Sequence, residues 1–126
     1  MEKPIFIPML SIKSGTFNID FYKNVFGAIE LRRFSNDDGS IHVSELSING
    51  SMFRLHEEGI NLKSPLDFGV TTVDVHLMVN HVDSLMAKAI EFGASNVSPA
   101  VDYEYGYRQG EFTDPFGHRW VIEKVI

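Results

Sequence analysis

Two sequence landmarks recur at a spacing close to half the chain. Phe26-Gly27-Ala28 returns as Phe92-Gly93-Ala94, 66 positions later. Asn49-Gly50, ahead of Ser51-Met52-Phe53-Arg54-Leu55-His56, is echoed 67 positions on by Phe116-Gly117, ahead of His118-Arg119-Trp120-Val121-Ile122-Glu123. Chance can supply one such match but hardly two in one register, so the chain is read as two copies of one supersecondary unit. At 126 residues there is room for two such units only if they share a core.

The units read alike. In the second, Val73, Val75, Leu77 and Val79 alternate with Asp74, His76 and Met78, which is a strand with one buried face. Val82, Leu85, Met86, Ala89 and Ile90 then recur at helical spacing up to Phe92, with Asn80 as expected N-cap and Gly93 as the stop. Strands are expected near 96–101, 108–114 and 118–125, the last two joined by the turn Asp114-Pro115-Phe116-Gly117. In the first unit a strand is expected over 5–12. A helix is expected over 16–26, with Phe17, Phe21, Tyr22, Val25 and Phe26 as its stripe. Strands follow near 29–35, 41–49 and 51–57, with Asp37-Asp38-Gly39-Ser40 as a hairpin turn. The fold class is therefore α+β, a βαβββ unit used twice: residues 1–57, a linker at 58–69, and residues 70–126, forming one domain.

Alternation also predicts what each sheet presents on the face its helix leaves bare. Ile7, Met9, Ser11, Met52, Arg54 and His56 fall there in the first unit; Asp74, His76, Met78, Arg119, Val121, Glu123 and Val125 do so in the second. Two bare sheets can curve toward one another as a cup, and His56 and Glu123 hold equivalent repeat positions on its opposite walls.

Composition removes several function classes. Lys and Arg number 11 against 17 Asp and Glu, a formal charge of −6, and no dense basic cluster exists to grip nucleic acid or an anionic membrane. Cysteine is absent, which excludes disulfides, thiolate nucleophiles and cysteine-based zinc sites. No apolar run reaches a membrane span, and Met1-Glu2-Lys3-Pro4 has no leader character; a cytoplasmic protein is expected. Phosphate-cradling glycine loops, a His-Glu-x-x-His helix and a nucleophile elbow are also missing.

Three segments carry a resemblance. Ile19-Asp20-Phe21-Tyr22-Lys23-Asn24-Val25-Phe26-Gly27-Ala28, Val75-His76-Leu77-Met78-Val79-Asn80-His81-Val82-Asp83, and Gly106-Tyr107-Arg108 with Asp114-Pro115-Phe116-Gly117-His118-Arg119-Trp120 resemble the vicinal-oxygen-chelate superfamily of glyoxalases, bleomycin-resistance proteins and extradiol dioxygenases, in a form most like its PhnB-like branch. The resemblance implies paired βαβββ modules around a cup. It also implies a homodimer, formed side by side or by exchange of modules. In catalysing members a divalent metal (Zn, Ni, Mn or Fe) is held by positions on the first and last strand of each module. Here those positions fall on Ile7, His56, Asp74 and Glu123. Ile7 has no ligating atom; His76 faces the same cup, so the expected metal set is His56, Asp74, His76 and Glu123, with Glu123 as ligand or general base and His56 as ligand or proton shuttle.

Against these roles stand plainer ones: Glu123 paired with Arg54 or Arg119, His56 a strand-end residue, Asp74 and His76 in local hydrogen bonds, and His42, His81 and His118 at the surface or in turns. Arg54, Met78, Tyr105, Tyr107 and Arg108 are the expected substrate-binding residues. The tyrosine loop suits an aromatic ligand, and Arg108 a carboxylate on it. Two function classes stay open: a metal-dependent lyase, isomerase or dioxygenase, and a metal-free small-molecule binder of the bleomycin-resistance type. Ile7 separates them, because it removes one of the four positions that the resemblance assigns to the metal.

Overall fold

The computed structural model describes residues 3–126; the Met1-Glu2 start, read above as lacking a leader, lies outside them. The elements in chain order are β1 (Met9–Ile12), α1 (Asp20–Phe26), β2 (Ile29–Ser35), β3 (Ile41–Ile48), β4 (Ser51–Glu57), a 3-10 turn (Pro65–Asp67), β5 (Asp74–Met78), α2 (Val82–Glu91), β6 (Ser95–Asp102), β7 (Tyr107–Thr113) and β8 (Arg119–Val125). They form two four-stranded sheets of identical topology, ordered β1-β4-β3-β2 and β5-β8-β7-β6. In each the first strand runs parallel to the last and the other pairs are antiparallel. The repeat in the sequence is thus a repeat in topology.

Some boundaries move. The first strand forms a ladder only from Met9, because Pro4 and Pro8 bracket Ile5–Ile7 and proline cannot donate to a ladder; at Pro8 the Arg54 amide of β4 donates to the carbonyl. Helix α1 begins at Asp20 rather than Thr16, and Phe17 stays 55% exposed. Thr16 is held outside the helix by bonds from its amide and hydroxyl to the Lys13 carbonyl. His81, not Asn80, is the N-cap of α2 and makes no side-chain capping bond. Ile90 is 55% exposed, so it leaves the expected apolar stripe of α2. Gly27 ends α1 as expected, in the left-handed conformation (φ 67°) that a side chain disfavours.

The core lies where the two helix-bearing faces meet. Phe53 and Leu55 of β4 and Trp120 and Ile122 of β8 point to the helix side, as alternation predicts, and all are buried. They belong to one cluster: the Phe53 and Trp120 rings, from different modules, stand 5.9 Å apart. Helix α1 is shared by both modules. Phe26 packs 4.6 Å from Trp120, and Phe21 lies 6.0 Å from Phe112 of β7. Each such ring buries about 150–250 Å².

One buried polar node fastens this junction. Asp114, 2% exposed, accepts the Tyr22 hydroxyl at 2.6 Å and the Trp120 indole N–H at 2.8 Å on Oδ2. The amides of Phe116 and His118 donate to Oδ1. His118, expected at the surface or in a turn, is 7% exposed, and its Nε2–H donates to the Ser11 carbonyl of β1 at 2.6 Å. Two side chains in or beside the β7–β8 turn therefore hold the first module.

Candidate functional site

With both helix faces spent on a common core, the bare faces lie on the outer sides of the chain. Their residues are those the alternation predicts. On the first sheet the register places Met9 and Glu45 beside Arg54, and Ser11 and Val43 beside His56. On the second it places Asp74 beside Arg119, His76 beside Val121, Met78 and Gln109 beside Glu123, and Glu111 beside Val121. Two clefts lie between residues 5–11 of the first module and β5 of the second. One, of about 630 Å³, is lined by Ile7, Met52, His76 and Met78 among others. The other, of about 490 Å³, is lined by Met9, Ser11, Asp74, His76 and His118 among others. His76 borders both.

Glu123 is the best-organised functional group. It is 8% exposed. Its Oε2 accepts the His76 Nδ1–H at 3.0 Å, and its Oε1 accepts the Gln109 amide N–H at 2.7 Å. The Tyr105 hydroxyl in turn donates to Gln109 Oε1. Desolvation pushes the Glu123 carboxyl up, but the bonds from Gln109 and His76 outweigh it and hold the group below the usual carboxylate range. An ionised, hydrogen-bonded carboxylate thus sits at the centre of the second wall, and its partners are His76 and Gln109 rather than Arg54 or Arg119. Gln109 was not singled out in the sequence; its place opposite Glu123 follows only from the β7–β8 register.

Other expected residues are scattered. Arg54 Nε donates to Glu45 at 2.8 Å, and Arg32 Nε donates to the other oxygen of that carboxylate at 3.0 Å. His56 stays with the first module: its Nδ1–H donates to the Glu57 carbonyl, and its ring lies 5.0 Å from that of His42. Asp74 is exposed at the start of β5. The structure assigns Arg108 a place other than the expected one. It lies opposite Lys124, on the helix side, and its guanidinium is held by Asp83 of α2 at 2.8 Å and Asp102 at 2.9 Å. Side chains alternate along β7, so Tyr107 and Gln109 facing the bare side force Arg108 to the other. Tyr103, Tyr105 and Tyr107 form a ladder, the first two rings stacked at 5.3 Å and the second pair 6.0 Å apart.

Among the described residues no three His, Cys, Asp or Glu side chains gather around a common point. His56 and Glu123 each have local partners, Nδ1 of His76 is spent on Glu123, and Ile7 offers no donor.

The paired βαβββ topology and the bare, cleft-bordered sheets define a glyoxalase-type chain, and comparison agrees: residues 17–122 match the Glyoxalase/Bleomycin resistance protein/Dioxygenase superfamily model, and the chain belongs to that superfamily. An uncharacterised protein of Mycobacterium bovis is 35% identical over 129 aligned positions, covering 98% of this chain and 85% of that protein. Among solved structures, the fosfomycin resistance protein FosX of Listeria monocytogenes superposes with a TM-score of 0.73 at 19% identity, covering 100% of this chain and 96% of that one. TioX of Micromonospora superposes with a TM-score of 0.70 at 22% identity, covering 96% and 99%. At such identities the likeness is one of fold. No helix among the described residues is long and apolar enough to cross a membrane.

Proposed function

We propose that the protein is a metal-free small-molecule binder, and that its cup is completed by a second copy of the chain. The observation that carries the binding reading is the state of Glu123. Its oxygens are committed to His76 and Gln109, among the described residues no third His, Asp or Glu joins that pair, and Met78, Val121 and the tyrosines make up the rest of the wall. Such a wall suits a planar organic ligand, held by ring contacts and oriented by a few polar groups. A crystal of Listeria FosX holds Mn(II) and sulfate; that chain shares 16% identity with this one, and among the described residues here no three-donor set gathers.

Two features support the homodimer. Each bare face exposes large apolar side chains, Met9 and Phe34 on the first and Met78, Val101 and Val125 on the second, more than an isolated surface ordinarily leaves uncovered. The faces also carry opposite charge. Arg32 and Arg54 stand against Glu45 on the first; Asp74, Glu111 and Glu123 stand against Arg119 on the second. A twofold arrangement that sets the first face of one copy against the second face of the other matches these charges twice.

Calorimetric titration with Ni, Zn, Mn and Fe(II), beside a thermal-shift screen of aromatic and amphipathic compounds, tests the binding reading. Negligible metal uptake with a raised Tm for some compounds is the expected result. Metal uptake that falls at least about tenfold (~1.4 kcal/mol) in His76→Ala and Glu123→Ala would replace the reading with the metalloenzyme one. Sedimentation equilibrium tests the dimer, and a monomer at micromolar concentration would remove it.

A further inference from the structure

We infer that the ligand stacked on the second wall is a planar aromatic molecule carrying a protonated nitrogen, not the carboxylate-bearing one that Arg108 would have suited. The inference rests on the binding reading above and names its ligand class.

The rings come first. Tyr103 and Tyr105 are 40% and 62% exposed, although their rings stack on one another. A core cluster is hidden; this ladder stays at the surface, with aromatic area left for a further ring. The Tyr105 hydroxyl is tied to Gln109, which is tied to Glu123, so the ring is set before any ligand arrives. An aromatic face offers a negative quadrupole and draws cations, more strongly when water is excluded.

The charges come second. Arg108, the cation nearest the ladder in sequence, is turned to the helix side and neutralised by Asp83 and Asp102. Arg119 faces the bare side, but its guanidinium donates to the Asn96 carbonyl at 2.6 Å and to the Thr113 hydroxyl at 3.2 Å, and reaches Glu111 only at 3.5 Å. A ligand carboxylate would have to break these bonds. A ligand cation would meet two carboxyl groups: Glu123, held below the usual carboxylate range, and Glu111, whose side chain is 38% exposed. The phenol of Tyr105 reports the same field, pushed up first by lost solvent and then by Tyr103, Glu123 and Glu111. Ring stacking and charge thus favour the same ligand, and neither depends on a metal.

Two probes share one planar skeleton and differ in charge: 9-aminoacridine, cationic at neutral pH, and acridine-9-carboxylate. Fluorescence titration of the full chain should show the cation binding at least about tenfold tighter than the anion, with the difference shrinking as salt screens the exposed Glu111. Tyr105→Ala should weaken the cation about tenfold and Glu111→Gln about threefold, while Arg108→Ala leaves it unchanged; circular dichroism confirms that the variants fold. Equal or tighter binding of the anion, an unaffected Tyr105→Ala, or no binding of either probe overturns the inference. If other compounds still raise the Tm in the thermal-shift screen, the inference falls alone. If no compound of any charge does so, the binding reading falls with it.

Discussion

Removing one hydroxyl at the junction of the modules should cost more than any change on the bare faces. Tyr22→Phe keeps the ring, with its contacts to Phe26, Phe116 and Trp120, and deletes only the 2.6 Å bond to Asp114. Tyr22 is 0% exposed and Asp114 2%, so no water replaces the lost donor. A hydrogen bond to a charged group contributes about 1.5–3 kcal/mol; three donors remain on Asp114, so the expected loss is about 2 kcal/mol. A chain of 126 residues unfolds with an entropy of about 0.26 kcal/mol/K, which converts that loss to a Tm drop of about 8 °C. The pH dependence has a definite sign. Burial raises the Asp114 carboxyl above its ordinary range, against the bonds from Tyr22 and Trp120 and the pull of His118. A raised carboxyl contributes most below its unfolded pKa of about 3.9 and loses that contribution as pH climbs through the folded value. Losing Tyr22 raises the folded value further, so the penalty is full at neutral pH and fades on acidification. Urea denaturation of both proteins across that range measures it. A variant within about 0.5 kcal/mol of wild type, or a penalty that grows as the pH falls, would refute the reasoning.

Two further outcomes are expected. Glu123 is held below the usual carboxylate range, so its network adds stability that is full above about pH 4.3 and is lost as pH falls through the folded pKa; Glu123→Gln should flatten that part of the acid limb in denaturation midpoints. Gly117 has φ +94°, and a Cβ there would meet Pro65 Cβ at 3.0 Å and the Leu66 amide at 3.1 Å. Gly117→Ala should therefore cost about 1–3 kcal/mol, read as a lowered Tm.

Much of the architecture was legible because it rests on short-range pattern. Period-two alternation placed Asp74, His76, Met78, Arg119, Val121 and Glu123 on one face, and glycines marked the helix ends. What alternation cannot express is which sheet faces which. The clue was an excess: Phe21, Tyr22 and Phe26 put more aromatic surface on α1 than one small sheet can cover, and the surplus packs on Phe112 and Trp120. Partner choice was equally hidden. Glu123 took Gln109 and His76, and Arg54 took Glu45, because cross-strand register decides which side chains lie within reach. His118 looked like a turn residue; its burial depends on β1, 107 positions away in sequence.

The shared helix α1 has a consequence for the origin of the chain. Phe21, Tyr22 and Phe26 all pack on rings of the other module, so a peptide containing either half alone would carry a sticky seam in place of a finished core. A half-length ancestor would have had to bury that seam against a sibling molecule. Gene fusion would then have converted a concentration-dependent association into a permanent one, leaving the outward sheets free to diverge, one toward arginine and the other toward tyrosine and glutamate.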